Sequence, residues 1–193
     1  MQFIDDRKMT DNLDRAKKLF LDYGTSGFHM MREGVLDEYK SYKVTKDKEN
    51  EWRQELIEDK LSNFDINDRR QPFSFRSIIQ THADFNTFEK YIAKVDKNSA
   101  TCKNGHLALL FGQELFSTLY ELIRSNYKIS RELRINCIDV CEKLLFLAKT
   151  IDLPNSYNID AVEIIEEKLT QEQYFQRQII KFEYELGLAK LLK

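Results

Sequence analysis

"GHLALLFGQELFSTLYELIRSN", residues 105–126, is the stretch on which the fold turns. Wound at about 100° per residue, it gathers Leu107, Ala108, Leu109, Phe111, Leu115, Phe116, Leu119, Tyr120, Leu122 and Ile123 into one arc of roughly 220°. A helix lying on a surface needs an apolar stripe of only about 100°. The width therefore predicts a central helix, covered on two or more sides. Gly112 sits inside the arc, where glycine weakens a helix by about 1 kcal/mol relative to alanine. Close approach by a second helix would explain it.

The segments on either side read as helices too. After this stretch, Ser130 is placed to cap "RELRINCIDVCEKLLFLAKTID", and "LPNSYN" breaks the chain. A short helix is predicted from Asp160 to Leu169. Thr170 then caps a last long helix with Phe175, Ile179, Phe182 and Leu186 on one face, followed by Leu188, Leu191 and Leu192. Before the central stretch, "DKNSATCKNG" is a polar break. "FSFRSIIQTHADF" and "NTFEKYIAKV" are two short helices, with Asn86 as cap of the second. "DINDRRQP", Asp65 to Pro72, is the clearest punctuation, because proline disfavours helix at the residue before it. Further back, Thr45 caps a helix from about Lys46 to Phe64, a short one spans Val35 to Tyr42, and Thr10 is placed to cap a first helix, "DNLDRAKKLFLDY".

These readings predict an all-α protein of about seven to nine helices in antiparallel pairs, a helical bundle or a stack of α-hairpins. Residues 1–70 form an N-terminal helical region with a glycine turn. Residues 71–193 form the main helical core, and the two are expected to act as one unit. Two prolines and six glycines in 193 residues, with 32% charged side chains, agree with few interruptions and many solvated helix faces.

Charge narrows the function. The formal net charge is -2, and each half of the chain is close to neutral. A nucleic-acid binder usually concentrates positive charge, so nucleic acid is disfavoured as a partner. No apolar run approaches the ~20 residues that cross a bilayer. The N-terminal "MQFIDDRKMTDN" has acids where a signal peptide has its apolar core. Three cysteines do not make a disulfide framework. A reduced, cytoplasmic protein is expected, away from membranes.

"YGTSGFHMMREG", Tyr23 to Gly34, holds three of the six glycines. A phosphate cradle would add a lysine and a hydroxyl at the next helix start. Neither that pattern nor a dinucleotide fingerprint is present. The expectation is a corner: a helix stop at Gly24, a turn through Gly27, and an extended piece at Phe28 to Met31 that pins it to the core.

Two further sets carry possible chemistry. Cys102 and His106 are four residues apart, as are Cys137 and Cys141, and four such ligands would suit zinc. Yet Cys137 and Cys141 share the apolar arc of their helix with Ile138, Leu144, Leu145 and Ala148, where cysteine behaves as a core residue. Arg76 and His82 in "RSIIQTH" have an Arg-x5-His spacing. It is similar to the signature of HEPN-type helical ribonucleases. The resemblance implies a metal-independent ribonuclease in which Arg76 and His82 stabilise a scissile phosphate and move protons at it. On a continuous helix the two side chains diverge by about 120°, so a helix end or a second subunit would have to bring them together.

No other catalytic template, cofactor loop or basic face stands out. The leading expectation is a non-enzymatic helical interaction or regulatory protein, needing no cofactor. It would meet a protein partner or a second copy through Phe175, Ile179, Phe182, Leu186, Leu191 and Leu192.

Overall fold

A computed structural model describes residues 6–151 and 170–190. Among them are nine α-helices and no strand. They are α1 (Asp6–Asp22), α2 (Gly27–Arg32), α3 (Leu36–Ser41), α4 (Lys46–Ser62), α5 (Gln71–His82), α6 (Phe85–Asn98), α7 (Gly105–Arg124), α8 (Arg131–Thr150) and α9 (Gln171–Lys190). Two compact units result, Met1–Asn63 and Phe64–Lys193. The division falls ahead of "DINDRRQP" rather than at its end, because Phe64 packs its ring on Phe75, Tyr91 and Phe111 of the second unit. The helix predicted over Asp160 to Leu169 lies outside the described residues.

Caps explain most of the boundaries. Thr45 accepts from the Lys48 amide, and Ser130 from the Leu133 amide. Thr170 and Gln173 form a reciprocal pair, each side chain accepting from the other's amide, which is a capping box. Pro72 sits in the first turn of α5, where its missing N–H costs no helical hydrogen bond. Two expected caps are corrected. Thr10 lies inside α1. The second short helix is capped by Asp84, not Asn86: the Asp84 carboxylate accepts from both the amide and the hydroxyl of Thr87. A carboxylate that takes two donors outcompetes an amide two residues later.

In the first unit, α1, α3 and α4 close on an aromatic centre. The Phe20 ring stacks on Tyr39 at 6.0 Å and meets Trp52 at 5.9 Å. Ala16, Leu19 and Met30 complete this core. The turn after α1 is a Schellman ending: Thr25 N–H donates to Phe20 C=O and Gly24 N–H to Leu21 C=O. Gly24 takes the left-handed conformation this needs, at φ 60°. The expected extended piece at Phe28 to Met31 is instead helix α2, started by the Ser26 side chain accepting from the His29 amide. One turn of helix buries Met30 and sends Phe28 and Met31 to solvent, so Met30 alone pins the corner.

In the second unit α7 is the packing centre, with α5, α8 and α9 against it. Its pairing with α8 is antiparallel: the Cys141 thiol lies on Gly112 C=O and the Cys137 thiol on Leu115 C=O. α8 and α9 are antiparallel as well, tied by Lys149 to Glu183 at 2.8 Å and by Glu142 to Lys190. Ala108, Phe111, Leu115, Leu119 and Leu122 of the predicted arc are all buried. Gly112 has the neighbour its position demanded: a Cβ there would stand 2.8 Å from the Phe182 ring of α9.

Two stability predictions follow from these contacts. Leu115 has no exposed surface, so Leu115→Ala should cost about 2–5 kcal/mol in chemical denaturation. A loss under about 1 kcal/mol would place Leu115 outside the core. A Cβ on Gly24 meets no atom within 4 Å. Gly24→Ala should therefore destabilise by about 1–2 kcal/mol through backbone strain alone, and a neutral result would mean the turn does not hold its left-handed residue.

Candidate functional site

The proposed ribonuclease pair sits on one helix. α5 runs unbroken through Arg76 and His82, so their side chains leave it about 120° apart. Arg76 is committed elsewhere: its Nη1 donates to Glu114 Oε2 at 2.9 Å, and that carboxylate is 13% exposed. A guanidinium held by a half-buried carboxylate is neutralised where a phosphate would need its charge. The structure does not bring the two residues together within one chain.

The four zinc-type residues are also kept apart in use. All three cysteines are buried free thiols. Cys137 and Cys141 point at backbone carbonyls of α7, and Cys102 at Asn104 C=O. Burial first, then the hydrogen-bonding and charge interaction with its neighbour Cys137, holds the Cys141 thiol well above its ordinary value, and burial raises Cys102. Neutral thiols are poor metal ligands and poor nucleophiles. Among the described residues no group of three or more His, Cys, Asp or Glu is placed to hold a metal ion. His106 packs against Phe175, ring centroids 6.4 Å apart. Burial, with help from the Arg69 charge, lowers its pKa to about 4.

The glycine corner spends its amides internally. Gly24, Thr25 and Ser26 N–H all donate to carbonyls of Phe20, Leu21 and Tyr23. A phosphate cradle needs such amides free.

The face of α9 named from sequence is core. Phe175, Ile179, Phe182 and Leu186 are each at most 3% exposed, packed into the second unit through contacts such as Phe182 with Phe116. These four are spent on the chain's own fold, while Leu191 and Leu192 lie outside the described residues. What α9 shows to solvent is another row, Ile180, Tyr184 and Leu188, spaced i, i+4, i+8; Ile180 and Tyr184 are both 67% exposed. That spacing was present in the sequence, on the side opposite the stronger stripe.

The feature that sequence reasoning missed is a groove between the second half of α7 and the first turns of α8. It encloses about 170 Å³. Leu119 and Ile138 form its buried floor, and Phe116 and Ile135 its half-buried walls. Tyr120 and Ile123 stand at the rim, 57% and 44% exposed. Both belong to the wide apolar arc of α7, so this is where the arc outruns its cover. Arg131 and Arg134 line the same groove. Among the described residues neither arginine forms an ion pair, and the buried Nε of Arg134 has no hydrogen-bond partner. On α7 the nearby Glu121 is engaged by Arg124 at 3.3 Å. A second hollow, between α6 and α8, encloses about 480 Å³. Lys143 pairs with Asp96 in it at 2.8 Å.

No family model matches this chain, and neither does any curated protein or solved structure. Among the described residues no helix is long and apolar enough to cross a membrane.

His106 gives a pH test of this packing. Its ordinary pKa of 6.5 is lowered to about 4 by burial in the folded state. Between those values the unfolded chain binds the extra proton, so stability falls as pH drops from about 6.5 to about 4. His106→Gln should flatten that part of the stability–pH curve, measured by urea denaturation at each pH. An unchanged slope would show that His106 is solvated when folded.

Proposed function

We propose that this chain is a non-enzymatic interaction protein that holds a protein partner on its second helical unit. The observation that supports it is the open groove between α7 and α8, with Tyr120 and Ile123 exposed at its rim. Apolar side chains singly exposed are ordinary; contiguous ones around a hollow mark a binding surface. A pocket that takes an anchor side chain, with a rim that excludes water around it, is the anatomy of a protein hot spot. The enzyme alternative, a metal-independent ribonuclease on Arg76 and His82, draws no support from the engagement of Arg76 with Glu114.

The reading is tested by quantitative capture from the protein's own cells, comparing the full chain with Ile123→Glu after circular dichroism shows both are folded. The expected result is a defined protein that the full chain retains and the variant loses. Identical captured sets would remove the groove from the account. Cleavage of RNA abolished by either Arg76→Ala or His82→Ala would replace it with the enzyme.

A further inference from the structure

Resting on that reading, we propose that the groove recognises a peptide segment carrying one bulky apolar side chain with a carboxylate within a helical turn of it. The apolar half of this specification comes from volume and lining. The groove encloses about 170 Å³ between Leu119 and Ile138. A cavity of ~150 Å³ lined by such residues is enough for a benzene ring. One leucine, isoleucine or phenylalanine side chain therefore fills it, and a long alkyl chain does not fit inside. Tyr120 and Ile123 extend the apolar surface beyond the hollow. That excess calls for a ligand that continues past the anchor, as a peptide backbone does.

The charged half comes from α8. Arg131 and Arg134 are three residues apart and share one face of its first turn, and both line the groove. Two positive charges at a helix N-terminus are disfavoured by the positive end of the helix dipole. Among the described residues no carboxylate pairs with either of them, and the buried Arg134 Nε is left without an acceptor. A buried donor without a partner is costly, and a carboxylate is the acceptor that guanidinium groups take most readily. An incoming Asp or Glu would take the exposed Arg131 guanidinium, offset the charge of the pair and sit favourably on the helix dipole.

The test is fluorescence anisotropy with labelled alanine-based peptides of roughly 15 residues. One carries a leucine anchor and two glutamates within a turn. The second has lysines for the glutamates, and the third alanine for the leucine. The full chain should bind the first at least about tenfold more tightly than either control, with affinity falling steeply as salt rises. The doubly reversed variant Arg131→Glu/Arg134→Glu keeps negative charge at a helix start, where it is tolerated, and should invert the preference toward the lysine peptide. Equal binding of glutamate and lysine peptides would overturn the charge rule. So would binding of octanoate with no binding of any peptide. If no peptide binds while partner capture still depends on Ile123, the peptide chemistry is wrong and the interaction function stands. If Ile123→Glu changes nothing either, both fall.

Discussion

A single missing side chain sets how the second unit packs. At Gly112 the α7 backbone is bare, and two helices use the space: Phe182 of α9 presses its ring to within 2.8 Å of where a Cβ would be, and Leu144 of α8 lies 3.5 Å from it. The Cys141 thiol closes on the Gly112 carbonyl. Three helices thus meet at one residue, and the loss in helix propensity is offset by burying an aromatic ring and an aliphatic side chain completely. Around that point the core fills with rings, including Phe75 stacked on Tyr91 at 4.2 Å.

The same arrangement decides what stays open. Because α9 is tied to α8 at Lys149 and Glu142, its described end lies alongside Glu142, about three turns short of the start of α8. Over those turns α8 still pairs with α7, and among the described residues α9 borders the groove only through Ala189. The apolar arc of α7 continues regardless. Leu119 is covered by α8, whereas Tyr120 and Ile123 are not. Among the described residues, the groove is the difference between the width of an apolar arc and the cover laid on it.

Much of this was legible in the sequence, for reasons that can be named. The arc of residues 105–126 announced a central helix because periodicity records how many sides of a helix avoid water. Thr45, Ser130 and Thr170 were readable because a cap is a local bond between a side chain and an amide three residues on. Gly112 was readable because only contact justifies glycine in such an arc. What stayed hidden depended on separation in the chain. Periodicity showed that Phe175, Ile179, Phe182 and Leu186 share a face, but not that α7 and α8 would cover it. Arg131 and Arg134 look like ordinary surface charges until α7 is laid beside them. The turn at Phe28 differs from its extended reading because six residues are too few for a period, and one hydrogen bond, from the His29 amide to the Ser26 side chain, chooses helix.

The central claim is that α7 is sealed along one half and open along the other. Methyl-labelled NMR of the full chain with a soluble paramagnetic agent measures this directly. Leu115 and Leu119 should be shielded from the agent and Ile123 strongly broadened, with Ile180 of α9 broadened and Ile179 beside it protected. Equal protection of Ile123 and Leu115 would contradict the account, because the groove would then already be filled by the chain itself.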